Sequence, residues 1–180
     1  MVNFDVVIPD KNEKEFIDQA KALGYDEIVF LTSNMNYIKP SADNINIIVK
    51  TAYLLKDVSE LPRARKKFDY VFSSAERKYF ELKIDFILDM ESTACKDSFH
   101  YKVTNLNQVH AELAKKNNIT LVFDFNELLS NPVVAKGKMF QNALLIKKYK
   151  LKYTTFSLAT KPYMMRSNNI LHSLELILGL

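Results

Sequence analysis

The chain has little glycine, cysteine and histidine, and each shortage excludes a class of function. Only three glycines occur in 180 residues, which rules out a site built on a glycine-rich phosphate-binding loop. Cys95 is the single cysteine, so no intramolecular disulfide forms and a reducing compartment fits the sequence. The three histidines, His100, His110 and His172, are isolated and lack the spacing of metal ligands.

Long apolar runs are also missing. No run approaches the ~18 residues that a membrane-spanning helix needs, and the start Met1–Asp5 has an early acid and no basic region, unlike a signal peptide. We therefore expect a cytoplasmic protein with no membrane partner. The length of 180 residues and the hydrophobic content of 48% predict a single globular domain over residues 1–180.

Candidate catalytic side chains are few. The Gly-x-Ser-x-Gly motif of serine hydrolases is absent. Asp89 and Glu91 follow one predicted strand and Asp124 lies in another, positions that barrel enzymes use for metal binding or proton transfer. Asp124 could equally pair with a base inside the barrel. Because no histidines complete such a site, we expect no catalytic centre, no metal and no cofactor.

The net charge of +4 conceals one basic segment. Residues Lys136–Arg166 contain no acid and eight cations: Lys136, Lys138, Lys147, Lys148, Lys150, Lys152, Lys161 and Arg166. The aromatic residues of the same segment are Phe140, Tyr149, Tyr153, Phe156 and Tyr163. A smaller basic cluster, at Arg63, Arg65, Lys66 and Lys67, lies in a loop-like stretch after Pro62. Cations with aromatics fit nucleic-acid binding, but a solvated helix face with its aromatics in the core fits equally well.

Strand and helix patterns alternate along the chain. Short apolar runs predict strands at Phe4–Ile8, Glu27–Leu31, Ile45–Val49, Tyr70–Ser73, Ile84–Met90, Ile119–Phe125 and Tyr153–Leu158. Apolar residues at helical spacing predict helices from Asn12 to Gly24, for one or two turns within Ala75–Leu82, at Asn105–Asn117, at Ala135–Tyr149, and from Ser167 or Asn168 to Gly179. Residues Asn34–Asn44 are predicted to form a loop.

This alternation predicts a parallel sheet with helices on its faces. A TIM-barrel-like β/α barrel of about seven strands, closed or nearly closed, is the first expectation, and an open doubly wound sheet is the alternative. A chain of 180 residues is shorter than the ~200–250 residues usual for such barrels. Some helices should therefore be short or missing.

Three helices carry more detailed expectations. Asn12 and Glu15 are spaced to form a capping box at the first helix. The helix over Ala135–Tyr149 is predicted to bury Phe140, Ala143 and Leu144. Its outward lysines would be Lys136, Lys147 and Lys148. The buried side of the last helix would hold Ile170, Leu171, Leu174, Ile177 and Leu178.

Several segments resemble a known family. The start Phe4–Pro9, the helix end Ala20–Asp26 and the central segments Tyr101–His110 and Leu113–Asn118 are similar to family elements. The most specific matches are C-terminal: Phe123–Leu129, Asn142–Lys150, Thr155–Ala159 and Met165–Asn169, leading into Leu178–Leu180. They follow the family's order and spacing, and the match is weakest from Asn34 to Leu82. The chain resembles ribonuclease P protein component 3, the archaeal relative of the thirty-kilodalton subunit of eukaryotic nuclear ribonuclease P.

The resemblance implies a barrel related to the PHP metal-dependent hydrolases. Those relatives have a His-x-His near the end of the first strand, where this chain has Val7 and Pro9, so metal chemistry would be absent. The resemblance further implies a ribonuclease P subunit that binds and stabilises the catalytic RNA together with protein component 2. The RNA would cleave the 5′ leader from precursor tRNA, which this chain would meet only indirectly.

The chain departs from the family in two places. The family usually has Ser-Gly-Ala where this chain has Ser157–Leu158–Ala159, so the local turn could differ. Lys136 and Lys138 stand where family members commonly have arginines, which keeps the charge but loses bidentate phosphate contacts.

We expect RNA phosphates to contact six side chains: Lys147, Lys148, Lys161, Arg166, Lys136 and Lys138. Arg166 is the strongest candidate because its planar fork can hold a phosphate bidentately, although a cap or salt bridge at the final helix is an alternative role for it. Two other functions stay open. One is a metal-dependent phosphoesterase of the PHP-like barrel type, and the other is a barrel that acts only as a protein–protein scaffold.

Overall fold

The computed structural model describes residues 3–40, 47–91 and 103–180. Its strands are β1 (Phe4–Val7), β2 (Glu27–Thr32), β3 (Ile48–Leu54), β4 (Tyr70–Ser74), β5 (Phe86–Leu88), β6 (Thr120–Asp124) and β7 (Lys152–Phe156). Its α-helices are α1 (Glu13–Ala22), α2 (Leu61–Lys67), α3 (Arg77–Phe80), α4 (Gln108–Asn117), α5 (Phe125–Ser130), α6 (Pro132–Tyr149) and α7 (Asn168–Ile177). Short 3-10 turns occur at Val58–Glu60 and Pro162–Met164.

The strands form one parallel sheet in chain order, and the sheet curls until its edges meet. Val7 forms a parallel bridge with Ala159, just beyond β7, and the Ile8 N–H donates to the Ala159 carbonyl at 2.9 Å. The fold is therefore the nearly closed, TIM-barrel-like α/β barrel that the strand pattern predicts, not the open sheet. Several of its helices are short, as the chain length requires.

The interior of the barrel is filled with apolar side chains. Val6, Val29, Leu31, Ala52, Phe72, Leu88, Val122, Phe156 and Leu158 form one buried cluster. Aromatic rings close the packing, with Phe72 and Phe86 stacked at 4.6 Å and Phe4 and Phe156 at 5.1 Å between ring centroids. The barrel is a packed core, as in other small barrels of this kind.

The seam between β1 and β7 contains a buried carboxylate. Asp5 Oδ1 accepts hydrogen bonds from the N–H of Val6 at 2.9 Å and of Ser157 at 2.8 Å. The side chain thus satisfies a backbone donor on the opposite edge of the sheet. Asp5 Oδ2 is buried and has no hydrogen-bond partner, and burial raises the pKa of Asp5 from 3.8 to about 6, although the bonds from Ser157 and Val6 oppose the rise.

Three elements differ from expectation. The third strand begins at Ile48 and extends to Leu54 because Lys50, which ends the apolar run, forms an ion pair with buried Glu27 at 2.8 Å. The predicted start of this strand, Ile45 and Asn46, lies outside the described residues. The basic cluster after Pro62 lies on helix α2, so its interpretation as a loop is wrong. Strand β6 ends at Asp124, where α5 begins.

Two helix details are also corrected. Asn12 is the N-cap of α1, but its Oδ1 accepts from the N–H of Asp10 at 2.8 Å, so the predicted capping box does not form. Gly24, at which the first helix is predicted to end, follows α1 with a φ of +77°, in the left-handed region that glycine adopts readily. In α7, Leu171, Leu174 and Leu178 are buried, whereas the predicted core residues Ile170 and Ile177 are exposed.

The barrel has two distinct ends. Strands run from the N-terminal end to the C-terminal end, and the connections run back, so the helix that precedes each strand finishes at the N-terminal end. The predicted loop after β2 contains no helix or strand over residues 33–40; its remainder lies outside the described residues. Among the helices that the structure describes, none is long and apolar enough to cross a bilayer.

Candidate nucleic-acid interface

Helix α6 carries most of the predicted interface. It starts at Pro132, a residue suited to the first turn because it has no N–H to leave unpaired. It ends at Tyr149, and its C-cap Lys150 takes a left-handed φ of +54°. Its buried side consists of Ala135, Lys138, Met139, Asn142, Ala143 and Ile146. These positions repeat every three or four residues, so one stripe of the helix packs against the barrel.

The predicted inward face of α6 is partly wrong. Ala143 is buried, but Leu144 is 70% exposed and Phe140 is 38% exposed. The helix rotates so that Met139 and Ile146 fill the core in their place. Phe140 and Leu144 therefore share the outward face with Lys136 and Lys147.

Lys138 lies on the opposite, buried side. The residue is 3% exposed and lies one helical turn from Asn142, whose Nδ2 donates to Glu91 Oε1 at 3.0 Å. The structure therefore does not present Lys138 at the surface with the other predicted RNA contacts. The repeat of lysines in the sequence could not reveal this, because only the packing stripe distinguishes Lys138 from Lys136.

Lys147 and Lys148 occupy the last turn of α6, at the N-terminal end of the barrel. Both are exposed. Lys147 Nζ lies next to Gly179, so it is beside the end of α7. Lys148 Nζ lies 5.5 Å from the ring centroid of Tyr149. Lys150 and Lys152 follow and are also exposed, which makes this turn strongly basic.

Arg166 and Lys161 lie in the segment that leads into α7. Arg166 Nη1 donates to the carbonyls of Tyr163 at 2.9 Å and of Met165 at 2.8 Å, which stabilises the 3-10 turn before the helix. Both bonds use a single nitrogen of the guanidinium group, Nη1. Lys161 is exposed, and its Nζ lies 5.9 Å from the ring centroid of Tyr163, which is 71% exposed.

The predicted contacts consequently form two groups. Arg166 precedes the ten residues of α7, whereas Lys147 lies beside the far end of that helix. Ten helical residues span about 15 Å. Lys136 and Lys147 are likewise separated by about 16 Å along α6. Lys147 and Lys148 therefore lie apart from Lys161 and Arg166.

Two of the carboxylates near the strand ends, Asp124 and Glu91, have structural partners. Asp124 Oδ1 caps α5 by accepting from the N–H of Asn126 at 2.8 Å and of Glu127 at 3.0 Å. Glu91 is held by Asn142 as described above. Burial raises the pKa of Asp124 and of Glu91 to about 7 each, and neighbouring acids contribute to both shifts. Asp124 thus caps a helix and does not pair with a base inside the barrel.

Other candidate ligands also have ordinary partners. His110 Nδ1 lies 2.7 Å from the Asn105 carbonyl and its ring stacks on Phe80, and His172 Nδ1 lies 3.0 Å from Glu175 Oε2. His100 and Cys95 lie outside the described residues. Within residues 3–40, 47–91 and 103–180, no group of three or more His, Cys, Asp and Glu side chains could hold a metal ion. Val7, at the end of β1, is fully buried.

Comparison with solved structures finds a similar fold in a ribonuclease P structure. A chain in the cryo-EM structure of archaeal ribonuclease P with mature tRNA matches with a TM-score of 0.75 and 17% sequence identity. The match covers 97% of this chain and 82% of that chain. No protein-family model matches the sequence, and no curated protein matches it. At this level of identity, the two chains are shown to share a fold.

Proposed function

We propose that this chain is a protein subunit of ribonuclease P, of the component 3 type. The observation that carries the proposal is the structural similarity to a chain of archaeal ribonuclease P, which extends over nearly the whole length of this chain. The ordered sequence segments that resemble component 3 and the acid-free basic segment Lys136–Arg166 support the same assignment. In this role the single domain works in the cytoplasm and has no active site of its own.

The chemistry of the proposed role is electrostatic. Exposed lysines and arginines neutralise phosphates and release condensed counterions, which makes binding to RNA favourable and dependent on salt. The proposed contacts are Lys147 and Lys148 at one end of the barrel, and Lys136, Lys161 and Arg166 towards the other. Lys138 is buried and is not one of them. Together with protein component 2, the chain would stabilise the folded catalytic RNA, which removes the 5′ leader from precursor tRNA.

Reconstitution tests this proposal. Ribonuclease P RNA and protein component 2 are assayed for precursor-tRNA cleavage at low magnesium, with and without this chain. We expect stimulation, because protein cations replace part of the magnesium that offsets phosphate repulsion. No stimulation at any protein concentration would reject the subunit assignment. Stoichiometric zinc or manganese in the purified chain, with turnover of a generic phosphodiester, would favour a phosphoesterase.

Single substitutions test the proposed contacts. Lys148→Gln and Lys161→Gln should each weaken RNA binding and lower the slope of log Kd against log salt by about 1. Lys14→Gln, an exposed lysine on α1, is the matched control. Arg166→Lys keeps the positive charge but loses the planar fork. If Arg166 holds a phosphate bidentately, this variant should bind RNA more weakly than wild type while the salt slope stays unchanged. Binding equal to that of the control would remove that residue from the interface.

A further inference from the structure

The N-terminal end of the barrel is basic well beyond α6. Four consecutive helix-to-strand connections, after α2, α3, α4 and α6, form a surface that we call the basic arc. Its cations are Arg65, Lys66, Lys67, Lys83, Lys115, Lys116, Lys147, Lys148 and Lys150, all of them exposed. Because helices finish at this end in chain order around the barrel, the four connections are neighbours in space.

The acids of the same connections already have partners. Asp69 accepts from the N–H and hydroxyl of Thr51. Asp85 accepts from the N–H of Val71 at 2.8 Å. Glu81 pairs with Arg77 at 3.3 Å. The cations of the arc outnumber these three acids, so the net charge of the arc is positive.

The centre of the arc is a shaped depression of about 530 Å³. Arg65, Lys83, Lys116, Asn117 and Asn118 line it, together with Ile84 and Asp85. They come from three different connections, and only one of the lining side chains is acidic. The depression therefore brings cations from three separate connections, Arg65, Lys83 and Lys116, to one surface.

Hydrogen bonds hold these three connections in place. Arg65 Nη2 donates to the Lys83 carbonyl, and Arg65 Nη1 lies 3.8 Å from Asp85 Oδ1. Asn117 Nδ2 donates to the Phe80 carbonyl at 2.7 Å, which links the end of α4 to α3. Because these bonds fix the backbone under the cations, only their side chains need to become ordered when an anion binds.

The arc continues to the turn after α6 through a repeated local structure. Both α4 and α6 end in two lysines, then reach a residue with left-handed φ, Asn118 at +57° and Lys150 at +54°. A buried residue follows in each case. Packed helices lie about 8–10 Å apart, so the lysines of the two turns extend one continuous basic surface.

Helix dipoles account for only part of this pattern. Cations in the last turn of a helix are favourable beside the unpaired carbonyls, which explains Lys115, Lys116, Lys147 and Lys148. Lys83 lies between α3 and β5, and Lys152 is the first residue of β7, where that effect no longer selects a cation. These two lysines extend the positive surface without capping a helix.

We propose that the basic arc binds the phosphate backbone of RNA, with Lys83 and Lys116 at its centre and Lys147, Lys148 and Lys150 at its edge. The inference rests on the proposed function and adds the surface by which the RNA is held. This end is opposite to the one at which β/α-barrel enzymes place their active sites. The barrel would thus bind RNA at its N-terminal end, which in such enzymes contributes to stability and not to catalysis.

A charge-matched pair of variants tests the arc. Lys83→Gln, Lys115→Gln and Lys116→Gln are combined in one protein, and Lys11→Gln, Lys14→Gln and Lys56→Gln in the control, whose lysines are exposed at the other end. Binding of ribonuclease P RNA, with component 2 present, is measured by fluorescence anisotropy from low to physiological salt. We expect the arc variant to lower the salt slope by about 2 to 3, at about 1 for each phosphate contact. The control should keep the slope.

Two further measurements separate the outcomes. The combination of Lys83→Arg, Lys115→Arg and Lys116→Arg should retain the wild-type slope, and thermal melting should show all variants folded. If wild-type protein binds RNA but the arc and control variants have equal slopes, the arc is rejected while the subunit assignment stands. If wild-type protein neither binds the RNA nor stimulates cleavage, both proposals fall together.

Discussion

At the scale of single residues, Asp5 is the most informative side chain, because it joins β1 to β7 while fully buried. Its pKa in the folded chain is about 6, compared with an ordinary value of 3.8. Ionising this carboxyl therefore costs more in the folded state than in the unfolded state. The contribution of Asp5 to stability is therefore fully present below about pH 4, and about 3 kcal/mol is lost as the pH rises from about 4 through 6.

Asp5→Asn should remove this pH dependence. The amide oxygen can still accept from Val6 and Ser157, and the variant carries no charge to bury. We expect it to be more stable than wild type at pH 7.5, by up to about 3 kcal/mol, with little or no advantage at pH 4. Urea denaturation at the two pH values measures the difference. Asp18→Asn, at an exposed position of α1, is the control, and an equal gain there would disprove the role of burial.

Leu158 occupies the position at which the resembled family has glycine. Its φ is +46°, in the left-handed region that costs an L-residue about 1–2 kcal/mol. The side chain is nonetheless buried in the barrel core. The local turn is therefore of the kind that glycine favours, and burial of the leucine offsets its strain.

Two truncations of Leu158 separate strain from packing. Both Leu158→Ala and Leu158→Gly lose the buried side chain, which costs about 2–5 kcal/mol. Only glycine relieves the strain, so Leu158→Gly should be the more stable of the two by about 1 kcal/mol. Chemical denaturation measures both. Leu31, buried in β2, is the control, and there the alanine variant should be more stable than the glycine variant. If the alanine variant is also the more stable one at Leu158, backbone strain does not operate at that position.

At the scale of elements, the ends of α4 and α6 differ in one respect. Both have a left-handed residue at the end, but asparagine tolerates that conformation better than lysine. Lys150→Gly should therefore stabilise the protein by about 1 kcal/mol, and Asn118→Gly by less. Thermal melting compares them. Lys152→Gly, in strand β7, is the control and should lower the stability of the protein. If it raises the stability instead, the gain at Lys150 does not come from relief of the left-handed backbone conformation.

The sequence predicted which segments form strands and helices better than it predicted which side of each helix is buried. Seven parallel strands could be found because buried strands are short apolar runs between helical patterns. The faces of α6 and α7 were partly missed, because Leu144 and Ile177 are apolar yet exposed. Helix α2 was missed because its seven residues bury only Ala64, which leaves no apolar period to detect.

For the candidate interface, the sequence could indicate which residues are cationic but not where those residues lie relative to one another. The acid-free segment identified Lys147 and Lys148 correctly as exposed cations. It could not show that α6 buries Lys138 or that the length of α7 separates Arg166 from Lys147. The basic arc joins residues from separate connections, such as Lys83 and Lys116, and this requires the barrel to be known.

At the scale of the whole molecule, the barrel closes unevenly. Strands β2 and β3 pair over six residues, whereas the seam between β1 and the chain beyond β7 has the single bridge of Val7 with Ala159 and the side chain of Asp5. Fewer backbone bonds hold this seam than hold its neighbours. We therefore expect the barrel to open there before it unfolds globally.

Native-state hydrogen exchange tests this order of opening. The amides of Ser157 and Ile8, which donate across the seam, should exchange through openings of lower free energy and weaker urea dependence than the amide of Val29 in β2. Asp5→Ala should accelerate exchange at Ser157 beyond the change in global stability, because it removes that amide's acceptor. Equal free energies and urea slopes at Ser157 and Val29 would instead mean that the seam breaks only when the whole barrel unfolds.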